Sequence, residues 1–268
     1  MSEKIKFQIE KLDYQEDAVN SVIDLLKGID KYSVSSIYSH ARSQLSAFNS
    51  HPEANVRFNA GTRLIKNLQE IQYRNGLFKD SELVGSIPQF TIEMETGTGK
   101  TFVYLETILR LWNDFGGQFK KFIIVVPSNP ILLGVKKSIE TFADYFRPQF
   151  NNIDINQHFF VYDKNVSPET VTAKLVESTD LSIMLITNHS FNKDSNRLRK
   201  ESETGVIVWD DIRDIAPIII IDEPQKLDGD GRKKTASMKA IEELNPLMVL
   251  RYSATHKNLY NPVYKLDS

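Results

Sequence analysis

The residues best suited to chemistry form a short glycine-containing run between a β-rich segment and a helical one. Residues 94–101 read Met-Glu-Thr-Gly-Thr-Gly-Lys-Thr. Two glycines one residue apart let backbone N–H groups close around phosphate oxygens, and the following helix directs its positive end at the same point. Lys100 adds a charge for the outer phosphates, and the Thr101 hydroxyl is a ligand for Mg²⁺. Although Met94 stands where the strict pattern has glycine, the run predicts a phosphate-binding loop.

Two acidic residues follow an apolar run further along the chain. Residues 217–221 are rich in isoleucine, typical of a strand covered on both faces, and Asp222-Glu223-Pro224-Gln225 come directly after it. At the carboxyl end of a parallel strand, Asp222 can hold Mg²⁺ through water and Glu223 can orient or deprotonate an attacking water. Taken alone, an Asp-Glu pair after an apolar strand is as often structural as functional. Together with the loop it predicts a site for ATP and Mg²⁺, with Lys100, Asp222 and Glu223 catalytic and with Thr101 and Asp222 on the metal.

Other polar residues lie where they could serve the same site. Ser253 and Thr255 follow a later apolar strand and, with the Gln225 amide, are candidates for coupling nucleotide to nucleic acid, the alternative being that they cap the strand end. Gln15 opens the first helix, where its amide could read adenine, the alternative being a solvent-exposed or backbone-capping glutamine. The predicted nucleotide-binding residues are Gln15, Glu95, Thr96, Gly97, Thr98, Gly99, Lys100 and Thr101.

The elements that must position these residues alternate between short β-rich runs and helical stretches after residue 88. This alternation is typical of an α/β fold with a mostly parallel sheet flanked by helices. Predicted strands cover 90–94, 122–126, 159–162, 182–187, 217–221 and 248–252, and predicted helices cover 12–26, 102–112, 131–146 and 171–177. Residues 30–88 predict a helical insertion, with helices at 32–48 and 57–73.

Composition limits the classes of partner and compartment. The chain has 268 residues, no cysteine, and 33 Lys+Arg against 35 Asp+Glu. A disulfide framework and a cysteine-ligated metal are excluded, and any contact with DNA must come from a local basic patch rather than from a global field. No run is long enough to span a membrane and no signal peptide is visible, so we expect a cytoplasmic protein without a membrane partner.

Taken in order, these motifs are similar to those of a known family. The start at Tyr14-Gln15, the loop at 94–101, Ile-Ile-Val-Val-Pro-Ser at 123–128, the Asp-Glu-Pro-Gln box and Ser-Ala-Thr at 253–255 resemble the restriction (Res) subunit of type III restriction-modification enzymes. The similarity covers roughly residues 7–257. It implies that residues 1–268 form the first RecA-like, P-loop motor domain of a superfamily 2 helicase-type ATPase.

The resemblance also implies partners and missing parts. Such a subunit works with a DNA methyltransferase (Mod) subunit, uses ATP to communicate along double-stranded DNA, and cleaves DNA with a C-terminal nuclease domain. We expect the second motor domain, with its arginine finger, and the nuclease to be absent from this chain, which would then bind ATP, hydrolyse it very slowly and leave DNA uncut. The implied DNA contacts are Ser128, Lys136, Lys137 and Asn188, whose alternative is an ordinary strand-end loop.

Three alternatives stay open on the sequence. The chain could be half of another superfamily 2 motor, such as a type I restriction translocating subunit or a stand-alone helicase. A transporter-type or hexameric ATPase shares the two phosphate motifs, but neither a Leu-Ser-Gly-Gly-type signature nor a second arginine element is visible. A nucleotide-responsive scaffold that docks a partner through residues 30–88 is the non-catalytic alternative.

Overall fold

A single parallel sheet organises the chain. A computed structural model describes residues 9–32, 53–58, 61–193, 196–201, 205, 207–229 and 233–266. Its main sheet has seven strands, β3 (Gln89–Glu93), β4 (Lys121–Val126), β5 (Phe159–Tyr162), β6 (Ser182–Thr187), β7 (Ile218–Asp222), β8 (Met248–Ser253) and β9 (Pro262–Lys265). The strand order is β5-β6-β4-β7-β8-β3-β9, and every neighbouring pair is parallel. The predicted α/β fold class is confirmed.

Helices cover both faces of this sheet. They are α1 (Asp13–Ile23), α2 (Thr62–Arg74), α3 (Lys100–Asp114), α4 (Asn129–Phe146), α5 (Pro168–Val171), α6 (Asn188–Phe191), α7 (Val208–Asp214) and α8 (Ala236–Leu244). One apolar cluster packs α1 to α4 on one face, and a second packs α5 to α8 on the other. Because successive strand side chains point to opposite faces, the continuous apolar runs of β4 and β7 supply both clusters.

The described part of residues 30–88 differs from its prediction at two short strands, which contain Tyr32 and Arg57–Phe58 where helix was predicted. Helix α2 begins at Thr62, and Arg57–Phe58 forms a short strand, β2, paired antiparallel with β1 (Lys31–Tyr32). The prediction of helix from residue 57 was therefore wrong, because a non-local backbone pairing decides the conformation there. The helix predicted at 32–48 lies almost entirely outside the described residues.

Two asparagines of residues 53–74 tie this segment to the rest of the fold. Asn67 donates to the backbone oxygens of Leu25 and Lys27, which joins α2 to the turn that follows α1. The Asn55 amide donates to the Lys121 and Ala216 oxygens at 2.9 Å, at the amino ends of β4 and β7. The Asn55 oxygen accepts from the N–H groups of Lys120 and Lys121. Asn55 lies at the amino ends of the strands. Because the strands are parallel, their carboxyl ends lie together at the opposite edge of the sheet.

Candidate nucleotide-binding and hydrolysis site

The loop at residues 94–101 is shaped to leave its backbone open on one side. Gly97 and Gly99 both have φ of 87°, in the left-handed region that favours glycine. The Thr98 N–H and hydroxyl both donate to the Glu95 oxygen, at 3.3 and 2.7 Å, and close the turn between the glycines. A Cβ on Gly97 would meet no atom within 4 Å. This concave turn, which continues into the first turn of α3, suits a chain of phosphates.

Lys100 reaches back across the mouth of this loop. Its ammonium donates to the backbone oxygens of Met94 and Glu95, each at 3.3 Å. The same nitrogen lies 3.4 Å from Glu223 Oε1, and only 10% of the Lys100 side chain is exposed. The two motifs that the sequence separates by more than a hundred residues therefore meet at one pair of atoms.

The two carboxylates of the second motif lie in different environments. Asp222 ends β7 and is 6% exposed, and burial, with a smaller effect from the Glu223 charge, raises its pKa to about 6 against the pull of Lys100 and Lys226. Glu223 has a left-handed backbone, φ 57°, and its N–H donates to the Tyr252 oxygen at 2.9 Å. Such a backbone costs about 1–3 kcal/mol in a non-glycine residue and turns the Glu223 side chain back toward Lys100.

A network of side chains holds Glu223 from behind. The Gln225 amide donates to Glu223 Oε2. The Ser253 hydroxyl lies 2.7 Å from Gln225 Oε1 and 3.3 Å from Glu223 Oε2, and it accepts the Thr255 N–H at 3.1 Å. The structure therefore brings together the side chains of Gln225 and Ser253 and the backbone of Thr255, whereas the sequence pointed to the Thr255 hydroxyl. Their role in coupling to nucleic acid remains a prediction.

Gln15 touches the phosphate loop rather than standing apart from it. Its side-chain N–H donates to the Thr98 oxygen at 3.0 Å, its side-chain oxygen accepts the Leu12 N–H at 3.1 Å, and the Tyr14 hydroxyl also donates to the Thr98 oxygen. These contacts match the capping alternative for Gln15. One amide hydrogen and one lone pair are free of these bonds, so adenine recognition remains a prediction.

The donor set fits a nucleotide-bound Mg²⁺ rather than a cage built from protein alone. Among the described residues no group of three His, Asp or Glu side chains could hold a metal ion. Mg²⁺ typically takes one or two protein ligands, several waters and the substrate phosphates. Thr101 in the first turn of α3 and the buried Asp222 at the end of β7 would supply the protein ligands, and a cation would stabilise a carboxylate that burial otherwise disfavours.

Comparison with known proteins identifies the family. A family model described as the res subunit of type III restriction enzymes matches residues 8–258. The chain belongs to this family. The family resemblance inferred from the motifs is thereby confirmed, and the chain is a helicase-like ATPase domain of the Res family.

Two curated Res subunits show how much of such a protein this chain spans. The Res subunit of the type III enzyme EcoP15I from Escherichia coli is 30% identical over 224 residues, 75% of this chain and 22% of that protein. The EcoPI Res subunit from Escherichia phage P1 is 28% identical over 249 residues, 82% of this chain and 25% of that protein. The chain thus spans about a quarter of the length of these relatives.

Two solved structures are also similar. The Sulfolobus solfataricus SWI2/SNF2 ATPase core in complex with dsDNA shares 17% identity, covering 78% of this chain and 35% of that one, with a TM-score of 0.40. The UvsW helicase of bacteriophage T4 shares 13% identity, covering 85% of this chain and 62% of that one, also with a TM-score of 0.40. Likenesses this distant add no argument about function.

The Res-family chain has a groove at the carboxyl edge of the sheet. Of the predicted DNA-contact residues, Lys136 lines this groove and Ser128 lies next to it in sequence. The cavity, about 550 Å³, is lined by residues at the carboxyl ends of β5 and β6 and on α4, among them Lys136, Lys164 and Ser190. Ser128 precedes α4 directly. Asn188 is engaged internally, since its oxygen accepts from Ser237 at 2.6 Å. Lys137 is exposed beside the groove but does not line it.

Sequence reasoning missed several polar residues of this Res-family site. Tyr104 is fully buried one helical turn after Thr101, and burial, followed by the charge of Asp222, raises its pKa. Arg251, within β8, forms a buried ion pair with Asp228. The sequence did carry a signal for this ion pair, because a charge inside an otherwise apolar strand needs a partner.

No membrane-spanning helix is found in the described part of the chain.

Proposed function

We propose that this chain binds ATP with Mg²⁺ and carries the hydrolytic groups of a DNA-translocating motor. The observation that supports this most directly is the contact between Lys100 and Glu223, 3.4 Å apart, which joins the phosphate loop to the second carboxylate motif. A glycine-rich turn without function would not need its lysine to meet a glutamate from a distant segment of the chain.

Each side chain has a distinct task in this proposal. The loop N–H groups and Lys100 bind the outer phosphates. Thr101 and Asp222 would hold the metal, which would supply positive charge against the phosphate oxygens. Glu223 orients the attacking water and accepts its proton. Gln225 and Ser253 fix the Glu223 carboxylate, so that the water is held in line with the bond that breaks.

In the longer Res subunit, we propose, this reaction drives movement along double-stranded DNA and communication between sites before a nuclease cuts. The methyltransferase (Mod) subunit would be the partner that recognises the DNA sequence. The family membership of residues 8–258 supports this assignment. The isolated chain should turn over slowly, because a transition-state arginine is worth roughly 10³–10⁵ in rate, and no described contact brings one to Lys100 or Glu223.

Binding of Mg²⁺-ATP by calorimetry tests the proposal on this chain. Lys100→Ala removes a charge-assisted contact worth about 1.5–3 kcal/mol, so affinity should fall by more than about tenfold. Lys66→Ala, at an exposed position on α2, is the matched control and should bind as the parent does. Unfolding midpoints should be similar in all three. Binding that is unchanged in Lys100→Ala, or no binding by the parent, contradicts the proposed function.

A second measurement tests the groove as a path for the DNA backbone. Lys136 lines the groove and Lys137, its neighbour, does not. If Lys136 contacts a phosphate, Lys136→Ala should weaken duplex binding for all sequences and reduce the salt dependence by about one counterion, whereas Lys137→Ala should do neither. Equal effects of the two variants would leave only a diffuse surface charge and would remove the groove from the proposal.

A further inference from the structure

A buried ion pair lies directly behind the candidate site. Arg251 and Asp228 contact each other with only 1% and 2% of their side chains exposed. The Arg251 guanidinium also donates to Gln89 Oε1 at 3.0 Å and stacks over the Tyr260 ring, 4.4 Å from its centroid. Burying two charges costs more desolvation than their attraction returns in many proteins, so fold stability alone is a weak reason for such a pair.

The pair holds the turn that carries Gln225. The Asp228 N–H donates to the Pro224 oxygen at 3.0 Å and closes the turn that follows Glu223. Arg251 and Ser253 are two residues apart on β8 and therefore point to the same face of the sheet. Ser253 holds Gln225 at the start of this turn, and Arg251 holds Asp228 at its end. The turn is consequently fixed at two points to one strand.

The same arginine reaches the strand of the phosphate loop. Gln89 begins β3, which ends at Glu93 immediately before the loop, and β3 pairs in register with β8. Arg251 therefore bridges the strand that leads into the loop and the turn that follows the carboxylates. One side chain in this position can fix the distance between β3 and the turn that follows Glu223.

We propose that Arg251 and Asp228 form a positioning pair that fixes the Gln225 turn and, through Gln225, aims the Glu223 carboxylate at the attacking water. This inference rests on the proposed function. Neither residue touches nucleotide in this proposal, so the pair should affect the hydrolytic step and leave ATP binding nearly unchanged. Misplacing a catalytic group by about 1 Å can cost roughly a hundredfold in rate.

The decisive variant replaces both charges by apolar groups of similar size, Arg251→Met with Asp228→Leu. Such exchanges of a buried pair are often neutral or stabilising, so this protein should keep its unfolding midpoint. Single-turnover hydrolysis of radiolabelled Mg²⁺-ATP should nevertheless fall by roughly 10–100-fold, with affinity for Mg²⁺-ATP within about threefold of the parent. Arg251→Lys keeps the charge but lacks the fork that reaches both Asp228 and Gln89, so it should recover part of the rate.

Controls separate this inference from the proposed function. Arg213→Gln breaks an exposed ion pair with Asp210, 2.9 Å apart, and should change nothing. A double variant that hydrolyses ATP at the parental rate overturns the positioning role alone. A double variant whose ATP affinity collapses with its rate also overturns it, since the pair would then support binding. A parent chain that neither binds nor hydrolyses Mg²⁺-ATP overturns the proposed function itself.

Discussion

A buried charged side chain lies at each end of the parallel strands, Lys121 at the amino edge of the sheet and Asp222 at the carboxyl edge. The surroundings of the two side chains differ. At the amino edge, the Lys121 ammonium donates to the Ser178 oxygen, and Asn55 satisfies four backbone groups around it. At the carboxyl edge, Asp222 is also buried, yet the loop beside it is exposed at Glu95, Thr96 and Gly97.

The difference separates structural from functional burial. Polar groups at the amino edge are satisfied by the protein itself, so removing one should reduce stability. Polar groups at the carboxyl edge are directed toward an open loop, so removing one should reduce binding or turnover with little change in stability.

Glu223→Gln should stop hydrolysis while preserving binding. The amide cannot accept the proton of water, and loss of a general base typically costs about 10²–10⁴ in rate. Its oxygen can still accept from Gln225, so the local structure and the affinity for Mg²⁺-ATP should persist. Single-turnover hydrolysis and calorimetry measure the two quantities, with Glu70→Gln on α2 as the exposed control. A parental rate in Glu223→Gln would contradict the assigned role.

Asn55→Ala should have the opposite signature. Four backbone groups lose their hydrogen bonds to one side chain, three of which are buried, so the free energy of unfolding should fall by about 2–4 kcal/mol. The folded protein should still bind Mg²⁺-ATP with parental affinity, because Asn55 lies at the far edge. Urea unfolding measures the loss, and Asn165→Ala, at an exposed position, should show none. A stable but non-binding variant would break the contrast between the edges.

Gly99→Ala should weaken nucleotide binding through the loop geometry. The residue has φ of 87°, and an added Cβ would lie 2.5 Å from the Gln15 side-chain nitrogen. Strain of about 1–2 kcal/mol at this position should reduce ATP affinity by roughly tenfold. Gly76→Ala, with φ of 66° and open space around its Cβ, shares the backbone strain without the clash. It should lower stability slightly and leave binding intact; equal losses of affinity would contradict the prediction.

The smallest effect concerns the amino edge and pH. Burial lowers the pKa of Lys121 from 10.5 to about 8, so the unfolded chain binds more protons than the folded one between these values. Stability conferred by this group therefore rises with pH from about 8 to 10.5. Unfolding midpoints of the parent and of Lys121→Met at pH 7.5 and 10 would show it as a difference between the two proteins. Parallel profiles would mean that Lys121 titrates normally.

Much of this architecture could be predicted because its signals are local. Six strands were predicted to within about a residue or two, since β-branched apolar runs identify buried parallel strands. Strand β9 was missed because Pro262–Lys265 is a short edge strand that begins with proline. Helix α8 was also missed, although Met238, Ile241 and Leu244 follow a helical spacing.

The site was predictable as a set of motifs and not as a network. Residues 94–101 and 222–225 are each a run of consecutive residues, so their chemistry could be inferred from the sequence directly. The contact of Lys100 with Glu223, and that of Arg251 with Asp228, depends on strand order, which pairing between distant segments decides. Gln15 shows the same limit, because its contact with Thr98 exists only after α1 packs against α3.

Strand β8 lies between the strand that ends in Asp222 and the strand that leads into the phosphate loop. Five residues of β8 pair with each neighbour in unbroken register. A ladder of this kind can shift only by whole residues, and a shift by one would turn every side chain to the wrong face. The distance between the phosphate loop and the carboxylates therefore cannot be varied continuously by sliding the strands. Any fine adjustment to nucleotides with different numbers of phosphates must come from the side chains of Lys100 and Glu223 rather than from the sheet.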